Sequence, residues 1–230
     1  MTEVEACLEA LRGQGTQARA EAAAAQHKVA RLYLGVPVPE IDALVAEWRA
    51  AHDIDGRVAL AQALWQSDIH EARIAAAKLL TQARLRPDTA VWDCVAGWVD
   101  DFDAWAIADH AAKAIDRRLQ ADPGRIEVVE TWLDSANPWA QRAALVATLP
   151  WTRQNFPKPR DLEIRDRVLG WAARLAEARD PLLQRAVAWW LRDLSRHDPD
   201  RVTAWLVEHG DRLRPFARRE ATRHLSPSGG

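Results

Sequence analysis

One helix-start frame recurs along this chain and restricts what it can fold into. Ser67-Asp68-Ile69-His70-Glu71-Ala72-Arg73 places an acid five residues before an arginine, with small residues after it. Asn137-Pro138-Trp139-Ala140-Gln141-Arg142 and Asp180-Pro181-Leu182-Leu183-Gln184-Arg185 repeat the frame. So does Asp103-Ala104-Trp105-Ala106-Ile107-Ala108, where Ala108 takes the arginine's place, and a last copy surrounds Pro215-Phe216-Ala217-Arg218. The marked positions 73, 108, 142, 185 and 218 lie 35, 34, 43 and 33 residues apart, and the longest step contains an insertion from Trp151 to Pro159. A unit of this length, capped at its start and small on the face it turns to its neighbour, is a helix pair that must stack on copies of itself to bury a core.

The rest of the sequence agrees with an all-α reading. No β-branched run alternates with polar residues, and Ala, Leu, Arg and Glu dominate. Helix breakers or caps recur at Gly13-Gln14-Gly15, Gly35 to Pro39, Asp53 to Gly56, Arg86-Pro87-Asp88, Asp122-Pro123-Gly124, Asn137-Pro138, Pro150 to Pro159, Asp180-Pro181, Asp198-Pro199 and Gly210, which predicts about a dozen helices. The 230 residues suffice for one domain, assigned to 1–225, with the Gly/Ser-rich end 226–230 as a flexible tail. Helix pairs stacked in this way are expected to form a curved α-α superhelix whose concave face suits a rod-like partner, either duplex DNA or another protein's helix.

Charge and cysteine usage narrow the setting. The net charge of −2 conceals an asymmetry, because residues 151–230 hold 16 Lys and Arg against 11 Asp and Glu while residues 1–150 hold 15 against 22. An arginine-rich last third can line a phosphate backbone, although solvated helix faces also alternate charge. Cys7 and Cys94 are too few for a disulfide framework and have no metal-ligand spacing, so both read as reduced thiols. The start, Met1 to Glu9, is acidic and no stretch is apolar enough for a membrane span, which makes a soluble cytoplasmic protein the expectation. Twelve tryptophans accompany one tyrosine, and helical spacing predicts Trp65 and Trp92 to be buried.

Few residues are left to carry chemistry. There is no HExxH, GxSxG or phosphate-binding glycine loop, and the seven histidines are scattered. No metal or other cofactor is expected. Gly13-Gln14-Gly15-Thr16 lacks the preceding strand a dinucleotide site needs. Trp105 and Asp109 stand four apart, on one face of a helix and in the repeat copy without an arginine. By spacing alone Asp109 reads as a solvated acid with Lys113 as its partner one turn on.

Several segments together resemble the AlkD-type DNA alkylation-repair glycosylases, which are built of HEAT-like repeats. Tyr33-Leu34-Gly35-Val36-Pro37 is similar to the loop after that family's first helices, and Trp105-x-x-x-Asp109 to its catalytic pair. Trp139-Ala140-Gln141-Arg142 resembles its arginine helix, Ala188-Trp189-Trp190-Leu191-Arg192-Asp193 the helix of its second active-site tryptophan, and Arg218-Arg219-Glu220 its last basic helix. The matches run in order from about residue 22 to 225. The resemblance implies hydrolysis of the N-glycosidic bond of cationic N3- or N7-alkylated purines in double-stranded DNA, without base flipping, and a monomer is expected because a solenoid wrapped on DNA needs its inner face free. It assigns Asp109 to the developing sugar cation, Trp105 and Trp189 to the deoxyribose, and Arg142, Arg185, Arg192, Arg218 and Arg219, with Arg196, Arg214 and Arg223, to phosphates. Two positions depart from the family: Gln26 stands where a tyrosine often forms part of the cleft wall, and Ala106 where an acid often follows the tryptophan. A relative that binds damaged DNA without excising it, and a HEAT-like protein-interaction scaffold, are the competing readings.

Overall fold

In the computed structural model, which describes residues 2–225, the expected all-helical repeat is borne out: there are thirteen α-helices and no strand among the described residues, only an isolated bridge between Leu32 and Ile69. The tail expected at 226–230 lies outside the described residues. None of the described helices is long and apolar enough to cross a membrane. The chain divides into two compact units, Met1–Asp122 and Pro123–Gly230.

The first unit holds α1 (Glu3–Gln14), α2 (Gln17–His27), α3 (Val38–Ala51), α4 (Ile54–Gln66), α5 (His70–Leu79), α6 (Thr89–Gly97) and α7 (Trp105–Ala121). Its centre is α5, which packs on α3, α4 and α7. Ala72, Ala75, Ala76 and Ala77 allow this, because side chains of one carbon let neighbouring helices approach from several sides, and all four are fully buried. Trp65 and Trp92 are buried as expected, and Trp65 stacks on Trp98 with ring centroids 4.3 Å apart.

The second unit holds α8 (Ile126–Thr131), α9 (Pro138–Ala147), α10 (Pro159–Glu177), α11 (Pro181–Ser195), α12 (Pro199–His209) and α13 (Pro215–Ala221). Here α11 is central and packs on α9, α10, α12 and α13. Trp190 is its fully buried anchor, and its indole N–H is satisfied by the Thr148 hydroxyl at 3.2 Å.

The caps follow the sequence at four helices and depart from it at two. Asp53, Asn137, Asp180 and Asp198 accept backbone N–H groups at the starts of α4, α9, α11 and α12. Asp68 and Asp103, expected to cap in the same frame, do not. The N-caps are Ile69 and Ala104, and Asp68 instead ends α4 in the left-handed region at φ 54°. Both carboxylates turn to one buried guanidinium, that of Arg31, which lies 3.1 Å from Asp68 and hydrogen-bonds Asp103.

Other buried arginines satisfy carbonyls of the segments between α-helices. Arg118 donates to the carbonyls of Gln82 and Ala83 after α5 and pairs with Asp88 at 3.0 Å. Arg165 donates to the carbonyls of Trp151 and Gln154 at 2.8 and 2.7 Å.

The loop before α3 requires glycine at position 35. Its φ is +72°, and a Cβ there would meet the Thr16 carbonyl oxygen at 2.3 Å and the Ala20 nitrogen at 2.5 Å. Gly35→Ala is expected to cost about 1–3 kcal/mol, read as a lower urea midpoint at unchanged m-value.

Candidate functional site

At the start of α7, burial of one helix face leaves two side chains outward. Ile107, Ala108 and Ala111 are buried against the core, while Trp105, the first helical residue, is 40% exposed and Asp109, one turn later, is exposed. The indole and the carboxylate thus share the outward side of one helical turn. Lys113, the partner expected for Asp109, is bonded to Asp116 at 3.0 Å instead. The N-terminus of α7 is fixed from behind, since Asp103 is held by Arg31 and Ala104 is buried.

A pocket of about 200 Å³ opens beside this turn, lined in part by Ala106, His27, Val36, Pro37, His70 and Ile74. Glu71 holds its loop, accepting the backbone N–H groups of Leu34 and Gly35 at 2.9 and 2.7 Å. The His27 and His70 rings lie 4.5 Å apart, and the Tyr33 ring is 4.8 Å from that of His70. Gln26, read from the sequence as a wall residue, is exposed and does not line this pocket, whereas His27 next to it does. Sequence reading missed the histidine pair because 43 residues separate its members and neither has a ligand-like spacing. Burial pushes the His70 imidazole down to about 3, helped by repulsion from His27 when it is protonated, from Arg31, and from His110 when it is protonated. His27 is lowered by burial and then by Arg31, and His110 by burial and then by Lys78.

The second unit gathers basic side chains and one indole on a single stripe. Arg185, Trp189, Arg192 and Arg196 follow at intervals of four, three and four, and while α11 buries its other faces these remain exposed or half-buried. Trp189 donates its indole N–H to Asp193 at 3.3 Å. Asp193 also accepts from Arg153 and Arg192, each at 2.9 Å. Burial alone would raise this carboxyl, but the two guanidinium groups outweigh it and hold it below the usual aspartate range.

The remaining arginines differ in accessibility. Arg192 also bonds Glu220, and Arg218 lies 3.3 Å from Asp211. Arg185 sits over the Phe216 ring at 5.3 Å, and Arg219 is exposed with no ion-pair partner among the described residues. Arg142 is 2% exposed, its guanidinium carbon 5.8 Å from the Trp139 ring centroid. Among the described residues no group of three or more His, Cys, Asp or Glu is placed to hold a metal ion. Cys7 and Cys94 are pushed up by burial to about 11 and about 12, so both stay protonated thiols at neutral pH.

The sequence signature of the DNA alkylation repair enzymes matches residues 7–225. The chain belongs to the DNA alkylation repair enzyme family. Two solved structures show the fold of this alkylation repair family member. A predicted DNA alkylation repair enzyme from Enterococcus faecalis is 20% identical, with a TM-score of 0.77 over 94% of this chain and 98% of that one. AlkD2 from Streptococcus mutans is also 20% identical, with a TM-score of 0.63 over 91% of this chain and 100% of that one. No curated protein matches the chain.

The neutral His70 makes the stability of this repair-family protein depend on pH. An unfolded chain binds a proton at this histidine near pH 6.5 that the folded chain refuses until about pH 3. Stability present above 6.5 is therefore lost as pH falls through that window, by about 3 kcal/mol at pH 4.5 from this residue alone. His70→Gln should flatten the decline in urea-unfolding free energy between pH 7 and 4.5, and an equally steep decline in the variant would rule this origin out.

Proposed function

We propose that this protein hydrolyses the N-glycosidic bond of cationic N3- and N7-alkylated purines in duplex DNA. The observation that carries the reading is the outward carboxylate of Asp109 one turn from the outward indole of Trp105 on α7. An alkylated purine already carries a positive charge, so it leaves without a general acid. What needs stabilising is the cation that develops on the deoxyribose, and a fixed carboxylate beside that sugar supplies it. The Trp105 face adds attraction between an electron-rich ring and that cation. Asp109 also orients the incoming water.

The backbone of the duplex is assigned to Arg185, Arg192, Arg218 and Arg219, which would neutralise phosphates without reading sequence. Arg185 and Arg219 are available directly, whereas Arg192 and Arg218 would exchange carboxylate partners for phosphate. Arg142, buried under Trp139, is the least accessible of the arginines given this role. The modest pocket beside α7 supports a lesion attacked without flipping the base into a deep cavity, as ordinary glycosylases require. In this reading the protein acts as a monomer on double-stranded DNA.

Incubation with a duplex containing 7-methylguanine should release the free base. Asp109→Asn should reduce the single-turnover rate by on the order of 10²–10³ while leaving duplex affinity largely intact. Release by the variant at the wild-type rate would refute the role of the carboxylate, and duplex binding without release by the wild type would leave a damage-binding protein. Arg185→Ala should lower the slope of log affinity against log salt by about one.

A further inference from the structure

Phe156 is 95% exposed, the most exposed large apolar side chain among the described residues. Its loop is not slack. On one side Arg165 donates to the Gln154 carbonyl at 2.7 Å, and the Asn155 side chain is hydrogen-bonded to the His197 ring at 2.6 Å. On the other side Asp161 accepts the backbone N–H of Lys158 at 2.9 Å and the Trp151 indole N–H at 3.1 Å. Pro157 and Pro159 remove further freedom, because a residue before proline is confined to extended backbone. Lys158 is extended, with φ −75° and ψ 164°. The phenyl ring is thus presented outward from a loop tied down through its backbone at 154 and 158 and through the side chain at 155.

The surroundings of this ring are basic. Arg153, Lys158 and Arg160 flank it in sequence, and His197 ties the loop to the end of α11, where the exposed Arg196 closes the basic stripe. A rigid apolar tip set among cations is complementary to a surface that is anionic outside and apolar within. A base step of duplex DNA is such a surface, with phosphates on its rim and stacked rings at its centre. Because the loop is already ordered, little conformational entropy is lost on insertion.

We propose that Phe156 is a wedge that inserts at a base step of duplex DNA and partly unstacks it while Lys158 and Arg160 hold the flanking phosphates. This rests on the DNA reading given above and adds a second contact in the second unit, at a residue outside the proposed chemistry. Unstacking is easiest where pairing is already weakened, so the wedge favours duplexes carrying a mismatch or a damaged base.

The test uses the full chain with a set of lesion-free duplexes that carry one mismatch at a fixed place, which sets the register, and in which 2-aminopurine is moved one position at a time. Wild-type protein is expected to raise the probe's emission at one or two adjacent positions. Phe156→Ala is expected to abolish that rise and weaken binding by on the order of tenfold, with an unchanged melting temperature because the ring packs on nothing. Phe156→Trp should restore both signals. Phe156→Ala with wild-type affinity and an unchanged emission profile overturns the wedge while leaving the glycosylase reading intact. A wild-type chain that binds no duplex overturns both.

Discussion

The first unit depends on one buried guanidinium. Arg31 comes from the segment between α2 and α3, with 3% of its side chain exposed, and joins Asp68 at the turn before α5 to Asp103 at the turn before α7. Three segments distant in sequence are thereby fixed at one point. A paired charge inside a protein is weakly stabilising at best against an apolar replacement, but removing one partner strands the other and costs about 3–5 kcal/mol. Such a pair makes alternatives to one arrangement expensive. The arrangement it selects sets the start of α7, and with it the directions of Trp105 and Asp109. Arg31 also acts at a distance, because its positive charge helps keep His70 and His27 neutral.

Much of this was legible in the sequence, and the exceptions share a cause. A proline after Asn137, Asp180 or Asp198 marks a helix start from local chemistry alone, and all three cap as read. Asp68 and Asp103 have the same local pattern apart from the proline, yet they serve a charge more than thirty residues away, which no window around either could reveal. The same limit applies to His27. Which residue of α2 faces the pocket depends on the rotation of that helix in its packing, and it presents His27. Trp105 and Asp109 were placed on one face by helical spacing alone, since nothing interrupts α7 between them.

The recurring arginine also changes meaning along the chain. At position 73 it lies over the Trp65 ring and donates to the Trp65 carbonyl, at 142 it is buried beneath Trp139, and at 185 and 218 it reaches the surface. One sequence frame therefore supplies an internal tie in the first unit and a solvated cation late in the second. The buried arginines that satisfy backbone carbonyls between helices, Arg118 and Arg165, occupy no marked position at all. The net charge of −2 is uninformative for this reason, because many arginines are already paired or bonded to carbonyls and only some can meet a polyanion.

The exposed arginines differ in what a polyanion must displace. Arg192 is shared between Asp193 and Glu220, so a phosphate that takes it must leave those carboxylates with fewer partners. Asp193 keeps Arg153 and the Trp189 indole, which lowers the penalty of that exchange. This coupling ties the Trp189 ring to the state of the basic stripe, because Arg192 bonds Oδ1 and the indole Oδ2 of one carboxylate. When Arg192 leaves Oδ1, the carboxylate loses one neutralising cation and becomes the stronger acceptor for the indole on Oδ2. Under the proposed reading, backbone contact and orientation of the Trp189 indole are then a single event rather than two independent ones.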